Sequence, residues 1–178
     1  MMSVMLQPSL AEPLAELWAV LHRDAPITLV DCEVHYLTSI ALALDDDLLS
    51  QLLLKKLRLA QVVPADSVTA TVVRMNSYVE FSLGDQQNLF CQLLHPSSSA
   101  MPSYGLSIAG HAGTGLIGLH AGQSIQWPGE DGRMRDLAIV KVANCPGLDR
   151  WLGVETGPAA RADTRPLQLA ALSWATAP

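Results

Sequence analysis

Three consecutive carboxylates, Asp45, Asp46 and Asp47, are the residues of this chain best suited to metal chemistry. Clustered Asp side chains supply the oxygen ligands that Mg²⁺ prefers, and a bound Mg²⁺ can promote hydrolysis. The same residues can instead begin a helix. Asp46 or Asp47 would then cap free backbone N–H groups, and its neighbours would favour the positive helix end. We favour the capping interpretation and keep the metal site as the alternative.

A second candidate is the glycine-rich segment at residues 113–118, GTGLIG, which has the G-x-G-x-x-G spacing of dinucleotide-binding loops. Gly122 and the β-type run from Ser124 leave room for only about two helical turns, too short for the crossover helix of a dinucleotide fold. No acidic residue ends a following parallel strand. We therefore interpret these glycines as allowing a close turn and a helix-on-sheet contact.

The remaining reactive side chains do not form a recognisable catalytic or zinc pattern. His111 is not accompanied by a serine in a G-x-S-x-G context. Cys32 with His35, and Cys91 with His95, have same-face spacing, but neither pair has the second pair that a structural zinc site needs. The sequence thus predicts no catalytic residue, no metal and no cofactor.

Composition limits the partners. The chain has 178 residues with 49% hydrophobic and 16% charged residues, enough for one medium or two small packed domains. No segment is basic and the net charge is −6, so we expect no direct nucleic-acid binding and favour a basic protein partner.

Three scattered cysteines indicate a reducing compartment. With no signal-peptide pattern and no membrane-length apolar run, we expect a cytoplasmic protein.

The first third of the chain has helical periodicity. Residues 9–22 predict an amphipathic helix, with Ser9 and Glu12 as a capping box. Its apolar positions are Leu10, Leu14, Leu17, Trp18 and Leu21. A short strand at residues 26–30 precedes Asp31, a predicted N-cap. Two helices of about 14 residues, about 20 Å long, then flank the Asp triplet and predict an antiparallel hairpin.

The rest reads as β structure up to a C-terminal extension with Trp151 and Trp174. Alternation and turn residues predict strands near 69–75, 77–83, 88–94, 104–109, 123–127 and 134–143, with a short helix at 113–119. Hairpin turns are predicted at residues 83–86 and 129–132, where Gly84 and Gly132 lie. Asn76 and Ser77 suit a turn or bulge in which their side chains bond to the local backbone.

Two segments, RMNSYVEF and GLIGLHAGQSIQWP, resemble the C-terminal domain of the Gre transcript-cleavage factors. The likeness is closer still to the regulator of nucleoside diphosphate kinase (Rnk) family, which has that domain behind a short helical hairpin. The resemblance covers about residues 26–145. It implies an α+β fold, a short antiparallel helical hairpin followed by an FKBP-like antiparallel β domain with one short helix. The implied divisions are an N-terminal extension (1–25), the hairpin (26–63), the β domain (64–146) and a C-terminal extension (147–178).

The resemblance also implies a function: a transcription regulator that binds core RNA polymerase at its secondary channel and competes with Gre factors. A hairpin with arms of about 20 Å is too short to reach a deep active site, so we expect no transcript cleavage. The expected contacts are the hairpin tip, Asp45, Asp46 and Asp47, and in the β domain Asn76, Ser77, His111 and Gly113.

The chain departs from the family pattern at three positions. Gly110 and His111 replace a Ser-Pro pair, and Gln123 replaces an Asp. These changes bear on any partner contact that these residues make.

Two alternative functions stay open. They are a peptidyl-prolyl isomerase or chaperone-like protein, which would need clustered aromatic rings, and a Gre-like cleavage factor using the acidic tip. Neither the oligomeric state nor the sign of the effect on transcription follows from the sequence.

Overall fold

The computed structural model describes residues 10–96 and 101–144, which fall into two compact units that divide between Val68 and Thr69. The first unit is mainly helical and the second is mainly β. Within the described ranges, no helix is both long and apolar enough to cross a membrane. The predicted α+β class, with helices followed by a mostly antiparallel sheet, is confirmed.

The helical unit is built from three helices and two short strands. They are α1 (Ala11–Leu21), β1 (Thr28–Val30), α2 (Asp31–Ala43), α3 (Asp47–Leu59) and β2 (Gln61–Val63). Helix α3 packs on both α1 and α2, and β1 pairs with β2 in parallel. Strand β2 was not predicted, because three residues are too few to show a β period and its partner lies about thirty positions earlier.

Helix α1 is oriented differently from the prediction. Its buried residues are Ala11, Ala15 and Trp18, so of the predicted apolar face only Trp18 is buried. The four leucines are exposed: Leu10, Leu14, Leu17 and Leu21. The physical reason is close packing, since two alanines on one side let the helix backbone approach α3.

The predicted caps of the first two helices are also corrected. The N-cap of α1 is Leu10, which makes no side-chain cap bond; Ser9 lies outside the described residues. Asp31 is the first residue of α2 and not its cap, because β1 runs directly into the helix with Val30 at the cap position. The Asp31 carboxylate accepts a bond from its neighbour, the Cys32 N–H, at 2.7 Å.

The second unit is a five-stranded sheet with one short helix. The elements are β3 (Tyr78–Leu83), β4 (Gln86–Leu94), β5 (Gly105–Ser107), α4 (His111–Leu116), β6 (Ser124–Pro128) and β7 (Met134–Ala143). The order is β5-β4-β3-β7-β6, antiparallel except for the β4–β5 pair. Gly84 and Gly132 have positive φ angles of 57° and 71°, which the predicted hairpin turns require.

One face of the sheet forms the core with α4, which contacts β5, β6 and β7. Alternate residues of each strand point to this face, as the period of two requires. Those that are buried are Val79, Phe81, Cys91, Leu93, Leu106, Ile125, Trp127, Leu137 and Ile139.

The strand predicted at residues 69–75 does not form. The segment makes one isolated bridge, between Val72 and His120. The Val73 N–H donates to the Leu119 carbonyl at 2.9 Å. The segment thus pairs briefly with the chain just after α4 instead of running along a strand. Val72 and Val73 are buried without joining the sheet, while Thr69 and Thr71 are exposed.

Candidate partner-binding site

The three aspartates lie where α2 meets α3. Asp46 is the N-cap of α3, and its carboxylate accepts a bond from the Leu49 N–H at 3.0 Å. Asp47 is the first residue of the helix and Asp45 lies in the connection, and all three are exposed. The capping interpretation is therefore confirmed for Asp46.

The tip is held by side chains and shows no metal-binding geometry. The Ser50 hydroxyl donates to the Ala41 carbonyl at 2.7 Å and so joins α3 to the end of α2. In the part of the chain that the structure describes, no three carboxyl, imidazole or thiol groups gather closely enough to hold a metal ion. The exposed aspartates thus form an acidic tip whose position is fixed by the cap and by this cross-link.

A lysine is buried in the core of the same unit. Lys56, on α3, is only 1% exposed. Burial lowers the pKa of its ammonium group well below the usual range, because the charged form loses its hydration. The group therefore gives the helical unit a pH dependence that a methionine at this position would lack.

The β unit has a cleft of about 230 Å³ beside the start of α4. Its residues come from the β3–β4 hairpin, α4, the β6–β7 hairpin and β7. They are Leu83, Gln86, His111, Ala112, Trp127, Pro128, Gly129, Glu130, Asp131 and Arg135. The cleft therefore combines apolar side chains with a polar and charged group of residues that includes His111.

An ion pair organises the charged side of the cleft. Arg135 Nη2 donates to Asp131 Oδ2 at 2.6 Å, and the Arg133 N–H donates to Asp131 Oδ1 at 3.2 Å. The bond from Arg135, followed by the one from the Arg133 backbone, lowers the pKa of the Asp131 carboxyl. Asp131 is therefore ionised at neutral pH and keeps Arg135 beside the cleft.

Two glycines of the GTGLIG segment, Gly113 and Gly115, are explained by packing, and the third, Gly118, has a positive φ of 77°. A Cβ added at Gly113 would lie 2.0 Å from the Ser107 carbonyl oxygen. A Cβ added at Gly115 would lie 2.6 Å from Leu137 Cδ2 and 2.8 Å from Trp127 Cδ1. Helix α4 has only six residues and begins two positions before the predicted start. Close approach of this short helix to its neighbours therefore accounts for Gly113 and Gly115, as the sequence interpretation predicts.

Trp127 connects the cleft to the start of α4. Its indole Nε1–H donates to the His111 carbonyl at 2.7 Å, while the tryptophan itself is fully buried. This bond positions the His111 backbone, and the half-buried His111 side chain lines the cleft. Gly113 is a buried residue of the same helix and does not line the cleft.

Asn76 and Ser77 form a different structure, away from the cleft. Asn76 is exposed and has a φ of 66°, a left-handed conformation that Asn tolerates better than most residues. Ser77 is buried, and its hydroxyl accepts a bond from the Arg74 N–H at 2.7 Å and donates to Asn144 Oδ1. Asn144 Nδ2 donates to two further carbonyls, of Ala70 and Val72, at 2.8 and 2.9 Å.

Of the four residues predicted for the β domain, only His111 lines the cleft. Sequence reasoning missed Trp127, Asp131 and Arg135, although the turn signal at residues 129–132 marked the loop that contributes Asp131. Asn144 was also missed. It follows a strand with no motif around it, so no local signal could have identified it.

The aromatic rings do not gather at the cleft. Tyr78, Phe90 and Tyr104 form a separate cluster with ring centroids 6.1–6.4 Å apart. Phe81 and Trp127 are core residues at 1% and 0% exposure. Among the described residues that line the cleft, Trp127 is thus the only Phe, Tyr or Trp, and it is fully covered.

No protein-family model and no curated protein matches the chain. Solved structures do. The prokaryotic transcription elongation factor GreA/GreB from Nitrosomonas europaea is 26% identical with a TM-score of 0.52, covering 66% of this chain and 98% of that one. Two structures of the GreA factor homolog Gfh1 have lower scores. That from Thermus thermophilus is 18% identical (TM-score 0.33, 75% and 94% coverage), and that from Thermus aquaticus 16% (0.36, 75% and 95%).

At these scores the two Gfh1 structures add nothing to the assignment. The GreA/GreB structure confirms the resemblance to the Gre-like C-terminal domain family that the sequence indicated. The closer resemblance to the Rnk family stays a prediction.

Proposed function

We propose that this chain is a transcription regulator that binds core RNA polymerase at the secondary channel, competes there with Gre factors and does not cleave RNA. One observation carries the proposal. The structural likeness to a GreA/GreB elongation factor spans 98% of that protein at 26% identity. The match therefore extends over nearly all of the related protein and is not restricted to one of its elements.

The helical unit supports binding without cleavage. Helices α2 and α3 have 13 residues each, so each arm is about 20 Å long. Asp46 is already used as a cap, and no metal-binding group of side chains gathers at the tip in the described residues. The tip thus presents negative charge to a basic protein surface, and long-range attraction would speed association at low salt.

The cleft at His111 supplies a second contact. Its volume of about 230 Å³ is below the roughly 300–1,000 Å³ that is usual for small-molecule sites. Leu83, Ala112 and Pro128 can surround one apolar side chain of a partner, with the Asp131–Arg135 pair offering polar contacts beside it. We propose that this cleft receives one such side chain from the polymerase.

The isomerase alternative has no specific support. It would need clustered aromatic rings around a bound proline, and the three clustered rings, Tyr78, Phe90 and Tyr104, lie outside the cleft. A cofactor role is no better supported, because the glycine segment is filled by packing at Gly113 and Gly115.

The test is binding of the purified chain to purified core RNA polymerase, with a Gre factor as competitor. We expect binding that the Gre factor displaces and that weakens as salt is raised. The tip is tested by replacing Asp45, Asp46 and Asp47 with Asn, which removes the charge while keeping a good cap at position 46. Asp66→Asn, at an exposed carboxylate between β2 and β3, is the matched control.

Two outcomes would sink the proposal. One is the absence of binding at low salt, and the other is binding that an excess of Gre factor leaves unchanged.

The cleft is tested by His111→Ala, which should weaken polymerase binding, whereas the Asp66→Asn control should not.

A cleavage assay on backtracked elongation complexes separates the binder from the cleavage factor. We expect no shortening of the RNA above the rate of polymerase alone. Shortening that the wild-type chain stimulates and that the triple Asn variant abolishes would establish the cleavage alternative instead.

A further inference from the structure

The outward side of α1 has an apolar stripe that the rest of the described chain leaves exposed. We define the leucine stripe as Leu10, Leu14, Leu17, Val20 and Leu21, whose exposed fractions range from 50% to 71%. Single exposed leucines are ordinary on protein surfaces, but a contiguous apolar patch of this kind marks an interaction site.

The spacing of the stripe is that of a coiled-coil seam. The four leucines are separated by four, three and four positions, the alternation of a and d residues in a heptad. Helix α1 does not need this seam to pack within its own unit, because Ala11, Ala15 and Trp18 contact the core from a different side. The helix therefore has two apolar sides, one used within the unit and one left for a partner.

We propose that the chain forms a twofold-symmetric dimer through the leucine stripe. In such a dimer the same patch contacts its own copy, so it must not place like charges opposite each other. The stripe meets this condition. The positions beside it are apolar: Ala11 and Trp18 on one side, and Pro13 on the other.

The carboxylates of α1 lie away from the seam. Glu12 and Glu16 fall on the opposite side of the helical wheel from the leucines, and Glu16 forms an ion pair with Lys55 of α3. A chain with a net charge of −6 would repel its own copy at most surfaces. The stripe is thus a place where two copies can approach without opposing acidic groups.

The area indicates how strong the dimer is. Five side chains that each lose about 100 Å² on association bury about 500 Å² per copy and about 1,000 Å² in total, at the lower limit for a specific interface. We therefore expect a reversible dimer with a dissociation constant in the micromolar range. This inference does not depend on polymerase binding.

The experiment is analytical ultracentrifugation of the full chain from about 1 to 200 µM, a range that brackets a micromolar dissociation constant. The wild-type mass should rise from one copy towards two. The variant Leu14→Glu/Leu17→Glu places two charges in the centre of the stripe and should weaken dimerisation at least tenfold. Leu42→Glu, on α2 and 71% exposed, is the matched control and should dimerise like the wild type.

Circular dichroism of all three proteins checks that the exposed substitutions leave the helices folded. A single-copy mass for the wild type over the whole range overturns the proposal, and the stripe would then serve a different protein. Dimerisation that persists unchanged in a folded Leu14→Glu/Leu17→Glu variant also overturns it, because the interface would then lie elsewhere.

Discussion

The hydroxyl of Ser77 joins three segments of the β unit, and its removal should cost more than that of an ordinary serine. Ser77 is 1% exposed, accepts a bond from the Arg74 N–H and donates to Asn144 Oδ1. Asn144 follows β7 and in turn bonds the carbonyls of Ala70 and Val72. The two side chains thus hold the segment that forms no strand against the end of the sheet.

The size of the effect follows from the groups left behind. Ser77→Ala deprives one backbone N–H and one amide oxygen of a partner, and each buried unsatisfied group costs about 1–3 kcal/mol. Asn144 is only half-buried, so water can replace part of the second loss. We expect the free energy of unfolding to fall by about 2–3 kcal/mol for Ser77→Ala, and by about 2 kcal/mol for Asn144→Ala.

The two substitutions should not be additive. Residues that share a hydrogen bond show coupling energies of about 0.5–3 kcal/mol, so the double variant should lose less than the sum. The assay is urea denaturation of the wild type, both single variants and the double variant, with the m-value checked for constancy. Ser124→Ala, an exposed serine on β6, is the control and should remain within about 0.5 kcal/mol of the wild type.

A loss below about 0.5 kcal/mol for Ser77→Ala, or full additivity with Asn144→Ala, would refute this reasoning. The hydroxyl would then not hold the segment, and a direct partner contact would become the better interpretation of Ser77.

Three further predictions concern the helical unit and α4. Asp46→Ala should lower the free energy of unfolding by about 1 kcal/mol, because α3 loses its cap. Asp45→Ala should stay within about 0.5 kcal/mol of the wild type, as urea denaturation would show. Equal losses for the two variants would contradict this prediction. Gly113→Ala places a Cβ 2.0 Å from the Ser107 carbonyl oxygen, so the free energy of unfolding should fall by about 3 kcal/mol. The measurement is the Tm, which should drop markedly. An unchanged Tm would disprove the close approach. Burial lowers the pKa of Lys56 in the folded state, so the unfolded state binds more protons and the contribution of Lys56 to stability rises with pH up to about 10.4. The free energy of unfolding of Lys56→Met minus that of the wild type should therefore fall as pH rises, by up to about 1.4 kcal/mol per pH unit, until pH reaches about 10.4. A difference that does not change with pH would contradict the prediction.

Features that depend on neighbours in the chain were predictable. The cap at Asp46 follows from its place before an apolar helical period, and the hairpin turns at Gly84 and Gly132 follow from residues that adopt positive φ. Strands β3, β4, β6 and β7 were located within about two residues, because alternation over five or more positions is a strong signal. Local backbone preferences and side-chain periods determine such elements, and both are present in the sequence.

Features that depend on distant partners were not predictable. The leucines of α1 satisfy a helical period as well as Ala11, Ala15 and Trp18 do, and only the close fit to α3 decides which side is buried. The strand β2 exists because β1 offers it an edge.

The cleft at His111 and the Ser77–Asn144 network likewise join residues from separate turns and strands. The sequence by itself determined the helices, four of the longer strands, the class of fold and the acidic tip. Only the tertiary structure decided which apolar surfaces are covered and which polar groups meet, because those outcomes depend on packing between segments far apart in the chain.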